Sequence, residues 1–272
     1  MPSLVHQIDS LDLPELAPYR SMRRQEEQRQ QGIFVAEGDK VVRRLLAHAQ
    51  FGVESLLLPT RRLAEFQGAL DQRSETIPVY TADKSVLEHL TGYTLYQGIL
   101  AIGRLPPSPS FESILERQHN PLLWVAVDGL TNAPNLGAVV RSAVAFGAQG
   151  ILVGETSSSP WLRRAVRSSM GAVFDLAVIE SPNLAVSLRQ LRHRGVGCLA
   201  AEPGRATAQI QQTDLTGNCC VVLGHESLGL SQPVREACDQ HIAIPMSGGV
   251  DSLNVACAAT VFLYEAWRQR HR

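Results

Sequence analysis

The chain holds 272 residues, 44% hydrophobic and 19% charged, with a formal net charge of -1. That length supplies one large domain or two ordinary ones with real cores, and the near-neutral balance argues against a generic polyanion binder. No apolar run approaches ~20 residues, and the start MPSLVHQIDSLDLPELA lacks the basic-then-apolar layout of a signal peptide, so a cytoplasmic protein with no membrane span is expected.

In chain order, a polar Arg/Gln/Glu-rich helix is expected over about 14–31, followed by a short strand in GIFVAEG. Helix-like VVRRLLAHA, strand-like VESLLLP, helix-like RRLAEFQGAL and the strand-like runs IPVYT and GILAIG then alternate, which predicts a compact α/β domain over residues 1–105. Prolines and serines in LPPSPSFES interrupt any regular element, and residues 106–120 read as a linker. From residue 121 to 272 the runs LLWVAV, GILVG, FDLAVI, VGCLAA, CCVVLG and HIAIPM alternate with segments of helical spacing. Near-continuous apolar strands separated by helices predict a parallel sheet covered on both faces, with its ligand crevice beyond the carboxyl ends of the strands.

Only Lys40 and Lys84 are lysines, so nearly all positive charge is guanidinium, the planar fork suited to phosphate. Arginines gather in YRSMRRQEEQR (Arg20, Arg23, Arg24, Arg29) and in WLRRAVR (Arg163, Arg164, Arg167), where solvated helix faces laced with nearby Glu are the alternative to an RNA contact. The five cysteines (Cys198, Cys219, Cys220, Cys238, Cys257) are odd in number and show no CxxC or CxxH spacing. They read as buried free thiols, with neither a metal site nor a disulfide framework.

Three loops that follow strands carry polar residues the fold does not demand. In DGLTNAPNLGAVVRSAVAFGA, Pro134 precedes a helix that Asn135 can cap, Gly137 permits close approach, and Arg141 stands in an otherwise apolar helix. In LGHESLGLS, Gly224 and Gly229 bracket His225 and Glu226 and project a carboxylate above the sheet edge. In IPMSGGVDSLNVACAAT, Asp251 or Ser252 is a sound N-cap for the last helix, whereas Asn254, placed inside its first turn, is a poor helix former. No G-x-G-x-x-G follows a strand and no G-x-x-x-x-G-K-[ST] occurs, which removes the dinucleotide and P-loop fingerprints.

Taken together, N-L-G-x(3)-R at 135–141, L-G-x-E-x-x-G-L at 223–230, I-P-M at 244–246 and S-L-N-V-A at 252–256 resemble the ordered motifs of the SpoU/TrmH family of SPOUT methyltransferases. AVRSSMGAVFDLAV resembles the segment between the first two motifs, and RSMRRQEEQRQQGIFVAEGDKVVRRLL with YQGILAI is similar to the substrate-binding domain preceding many members. Two positions depart from the pattern: Asn132-Ala133-Pro134 stands where members commonly carry Asp-Pro, and Ala177 replaces a frequent proline.

The resemblance implies an α/β protein: a C-terminal SPOUT parallel-sheet domain with a deep trefoil knot, plus a smaller N-terminal α/β RNA-binding domain. It implies S-adenosylmethionine-dependent ribose 2'-O-methylation of structured RNA, ribosomal RNA above transfer RNA, by a homodimer. Asn135, Arg141, Glu226, Ser252 and Asn254 are then the catalytic candidates. Leu223, Gly224, Ile244, Met246 and Leu253 hold the cofactor, and Arg20, Arg23, Arg24 and Arg29 meet RNA. A non-catalytic RNA-binding or assembly protein on the same scaffold is the alternative of another class, and it would not need Arg141 or Asn254.

Overall fold

The computed structural model describes residues 4–88, 90, 98–107, 114, 121–249 and 251–271. Most of the expected linker lies outside the described residues, as do Tyr96, Gln97 and Val250 of the quoted motifs. The chain divides into two compact units, one from Met1–Pro107 with Trp161–Phe174, the other from Ser108–Pro160 with Asp175–Arg272.

The first unit holds β1 (Leu4–Gln7), β2 (Ile33–Glu37), β3 (Val53–Pro59), β4 (Pro78–Ala82) and β5 (Leu100–Arg104) in the order β1-β4-β3-β5-β2. β1, β4 and β3 run parallel, and β5 runs antiparallel to β3 and β2. All five residues of β2 are buried, and a core of Leu16, Tyr19, Val35, Leu57 and Leu100 packs at the sheet. The helices are α1 (Ala17–Arg20), α2 (Gln25–Gln30), α3 (Asp39–Ala47), α4 (Leu63–Asp71) and α5 (Lys84–Glu88).

The single helix expected over 14–31 is instead a 3-10 turn (Pro14–Leu16) followed by α1 and α2, with residues 21–24 forming a turn closed by Arg24 N–H to Ser21 O at 2.7 Å. Its buried anchors Leu16, Tyr19 and Met22 stop at Met22. QEEQRQ then offers no apolar residue to hold one continuous register, and propensity alone is a weak organiser. β1 escaped the sequence reading because all four residues are exposed; an edge strand owes its form to pairing with β4 rather than to a burial pattern.

The second unit contains β6 (Leu123–Val127), α6 (Ala133–Ala145) and β7 (Gly150–Val153). After β7 the chain contributes Trp161–Phe174, with α7 (Arg163–Ser168), to the first unit. It then supplies β8 (Ala177–Glu180), α8 (Leu184–His193), β9 (Gly197–Ala201), β10 (Ala208–Gln209), β11 (Cys219–Leu223), α9 (Gln232–Glu236), β12 (Gln240–Ala243) and α10 (Val255–Arg270). The seven strands lie in the order β10-β12-β9-β11-β6-β7-β8, and every pairing among them is parallel. β6, β7 and β11 are buried along their whole length, as expected of strands covered on both faces. Trp124, Leu152, Leu188, Cys198, Cys220 and Val222 belong to one core cluster.

In the first unit, Trp161–Phe174 is tied down by apolar and ionic contacts. Phe34 stacks at a tilt on Trp161 with ring centroids 5.4 Å apart, and Phe51 does so on Phe174 at 5.2 Å. The Glu37 carboxylate, 2% exposed, accepts from Arg163 and, at 2.5 Å, from Arg167. The cluster WLRRAVR is thus partly engaged inside the protein. Glu37→Ala leaves two guanidinium groups facing a site that has lost its charge; Arg167 is half exposed and its share is screened. The expected loss of stability is about 2–3 kcal/mol by urea unfolding, and a loss below about 0.5 kcal/mol would show that the aromatic contacts alone hold the segment.

Among the described residues no helix is long and apolar enough to cross a membrane. All five cysteines are free, and Cys198, Cys219 and Cys220 are buried. Burial pushes the thiols of Cys219 and Cys238 up to about 11 and about 12, which keeps them from acting as nucleophiles near neutrality. Cys257, expected to be buried, is exposed, because its position on α10 faces away from the side that carries Val255, Ala259 and Phe262 inward.

Candidate active site

The three motif loops of the second unit converge at the carboxyl ends of its strands. Adjacent strands β12, β9 and β11 end at Ala243, Ala201 and Leu223, and the loops leaving them surround a cavity of about 530 Å³. That volume suits a nucleoside-sized ligand. Leu223, Ile242 and Phe262 make a buried apolar floor. Gly224, Ile244, Met246 and Leu253, the other candidates for holding a cofactor, line the same cavity, together with Glu226 and Ser252.

The loop after β11 is shaped by its glycines. His225 and Gly229 exchange backbone hydrogen bonds of 3.0 and 2.9 Å, with Gly229 at φ +67°. Gly224 lies so close beneath this turn that a Cβ would stand 2.4 Å from the Gly229 carbonyl carbon. The His225 Nδ1 accepts from the Ser227 and Leu228 N–H groups at 3.0 and 3.3 Å, which leaves the ring proton on Nε2. Asp128, after β6, accepts from Ser231 N–H at 2.7 Å and closes the far end of the loop.

Asn135 and Asn254 do different work from that expected. α6 begins at Ala133, and its N-cap is Asn132, whose Oδ1 accepts from Asn135 N–H at 3.0 Å. Pro134 therefore occupies the second helical position, where its missing N–H is one the helix leaves unpaired anyway. Relieved of capping, the Asn135 side chain donates to Glu226 Oε1 at 2.7 Å and accepts from Asn254 Nδ2 at 3.3 Å.

Asn254 is the N-cap of α10, so neither Asp251 nor Ser252 caps it and Asn254 is not inside the first turn. Residues 251–254 stay non-helical, with Ser252 and Leu253 on the cavity wall, and the helix starts only behind them. The Asn254 Oδ1 accepts from Ala256 N–H at 2.9 Å while its Nδ2 reaches Asn135. These two halves can be separated by substitution. Asn254→Ser keeps a capping oxygen and is expected to leave stability within about 0.5 kcal/mol while breaking the bond to Asn135; Asn254→Ala forfeits about 1 kcal/mol as well. Thermal unfolding of both variants checks the ranking.

Arg141 is exposed on α6, roughly 120° round the helix axis from Asn135, and is not part of the cavity lining. Its helix is held independently, by buried Leu136, Val139, Val140 and Ala143 and by the Ser142–Thr260 hydroxyl pair to α10 at 2.8 Å. In the first unit, Arg20 donates to the carbonyls of Leu11 and, at 2.8 Å, Leu13; Arg24 pairs with Glu27 at 2.9 Å; Arg23 and Arg29 also have partners within the protein.

Sequence reasoning missed the opposite wall of the cavity. Glu202 follows β9 directly, and its position after the strand VGCLAA is the signal that points to it. Burial would raise its pKa, but the bidentate Arg235 guanidinium at 2.9–3.1 Å and His241 Nδ1 at 3.0 Å hold it below the ordinary carboxylate range. Arg235 also donates to Leu230 O at 2.7 Å, so the ion pair ties three cavity segments together.

Comparison with known proteins agrees with this geometry. The model of the SpoU rRNA methylase family matches residues 122–264. The 23S rRNA (guanosine-2'-O-)-methyltransferase RlmB of Pasteurella multocida is 36% identical over 199 residues, 71% of this chain and 80% of that one. Among solved structures, the SpoU methyltransferase AviRb from Streptomyces viridochromogenes, in complex with AdoMet, superposes with a TM-score of 0.83 at 25% identity, covering 95% of this chain and 98% of that one. The AdoMet-bound rRNA methyltransferase from Sinorhizobium meliloti superposes with a TM-score of 0.82 at 25% identity, covering 97% and 98%. With these matches spanning both units and the cavity motifs in place, the chain belongs to the SpoU rRNA methylase family and is an S-adenosylmethionine-dependent RNA methyltransferase.

Proposed function

We propose that the chain methylates a ribose 2'-hydroxyl of ribosomal RNA, with Asn135, Arg141, Glu226, Ser252 and Asn254 as the reacting site. The observation that carries this reading is the hydrogen-bonded chain Asn254–Asn135–Glu226. It joins the first turn of α6, the N-cap of α10 and the loop after β11 beside a cavity of cofactor size. The activity of the Pasteurella relative, a 23S rRNA (guanosine-2'-O-)-methyltransferase, favours ribosomal RNA, and a guanosine within it, as the target.

When bound, S-adenosylmethionine supplies a methyl group already activated by its sulfonium, so the residues have to align the acceptor and manage one proton. Leu223, Gly224, Ile244, Met246 and Leu253 hold the cofactor through apolar contact and main-chain groups. Asn135 fixes the Glu226 carboxylate through one oxygen and leaves the other for the ribose. As the methyl group is transferred, the 2'-hydroxyl would give its proton to the free oxygen of Glu226, an exposed carboxylate that can pass it on to solvent. Arg141 stabilises the negative charge that develops on the ribose oxygen; a guanidinium is not itself a base near neutrality.

Because Arg141 stands outside the cavity lining, its reading includes a homodimer in which the exposed faces of α6 and α10 meet a second copy. α10 presents Val261, Tyr264 and Trp267 to solvent, at 37%, 47% and 39% exposure, an apolar stripe suited to that contact. Recruitment of RNA falls to the first unit with its arginines, in the cytoplasm where ribosomal RNA is matured. The trefoil threading of the C-terminal chain belongs to the same reading.

Tritium transfer from labelled cofactor to unmodified 23S rRNA transcript, with the methylated nucleotide mapped, tests it. Labelled 2'-O-methylribose in that transcript supports it. Label on transfer RNA alone would select the transfer RNA reading, and RNA binding with no label would select a non-catalytic role.

A further inference from the structure

We infer that Arg205 binds a phosphate of the substrate RNA at the rim of the cofactor cavity. Arg205 closes the turn Pro203–Arg205 that leaves β9 and lines the same cavity as Glu226 and Ser252. It is exposed, and among the described residues it has no hydrogen bond or ion pair. Its two obvious partners are taken. Glu202 is saturated by Arg235 and His241, and Glu226 is held by Asn135. An uncompensated guanidinium thus stands on a turn stiffened by Pro203, directed by position to whatever occupies the cavity mouth.

Two anions can reach a methyl-transfer site, the carboxylate of the cofactor and the phosphates flanking the acceptor ribose. The buried floor of Leu223, Ile242 and Phe262 receives the cofactor, whereas RNA arrives from solvent across the exposed rim where Arg205 stands. A phosphodiester offers two oxygens to the fork of a guanidinium, and such contacts position the backbone without reading the base. The inference rests on the reading of this cavity as the methyl-transfer site.

The test uses the full chain and unmodified 23S rRNA transcript as probe, with wild type, Arg205→Ala and Arg205→Lys. RNA affinity is measured by filter binding over a range of salt, and cofactor affinity by calorimetry with S-adenosylhomocysteine. Arg205→Ala is expected to weaken RNA binding about tenfold and to lower the slope of log affinity against log salt by about one, with cofactor affinity unchanged. Arg205→Lys is expected to keep the salt slope and lose part of the affinity, because the charge remains and the fork does not. RNA affinity and slope unchanged in Arg205→Ala would overturn the inference while leaving methylation intact. Cofactor affinity lost with RNA affinity retained would assign Arg205 to the cofactor carboxylate and overturn it equally. A wild-type protein that bound cofactor but neither bound nor methylated the transcript would bring down the underlying reading, and the inference with it.

Discussion

Arg141→Ala is expected to slow methyl transfer by about 10²–10³-fold in single-turnover measurements with saturating cofactor, the usual effect of removing one donor aimed at a developing oxyanion. Folding is expected to survive. Arg141 is exposed, and Leu136, Val139, Val140 and Ala143 keep α6 packed without it. Cofactor affinity should also hold, since Arg141 does not line the cavity. Arg141→Lys separates charge from geometry: a point charge retains less activity than the fork where two oxygens must be held at once. If Arg141→Ala retains near-normal methylation in a folded protein, the oxyanion is stabilised elsewhere and the assignment of Arg141 fails.

Gly224→Ala is expected to weaken cofactor binding by more than about a hundredfold. The added Cβ would meet the Gly229 carbonyl carbon at 2.4 Å and the Leu230 nitrogen at 2.6 Å. Both obstacles are backbone, which cannot swing aside as a side chain does, so the His225–Gly229 pairing has to open and the cavity wall with it. Gly248→Ala is the matched control, because nothing stands within 4 Å of its Cβ position. Calorimetry with S-adenosylmethionine on both variants decides the matter; equal affinities would mean that the loop after β11 yields without harm and does not shape the site.

Much of the fold was legible because it is written in local pattern. The long apolar runs of β6, β7 and β11 could only belong to a sheet covered on both faces, and their spacing left room for crossover helices. β1 and the break between α1 and α2 were not legible, since an exposed edge strand and an all-polar helix carry no burial period. At the site, the residues of the three motifs could be named in advance, whereas their local duties could not. Which of Asp251, Ser252 and Asn254 caps α10 depends on where the chain stops crossing the cavity wall.

The sequence by itself determined the family, through four short motifs in a set order, and the parallel sheet, through unbroken apolar strands. Only the tertiary structure decided that Trp161–Phe174 packs with the first unit on Glu37, that Asn132 frees Asn135 to bridge Asn254 and Glu226, and that Glu202 is spent on Arg235 and His241 while Arg205 is left uncompensated. The reason is physical. Periodicity and propensity act between neighbours in the chain, but hydrogen-bond and charge partners are settled by which groups burial brings together, in these cases 33 to 130 positions apart.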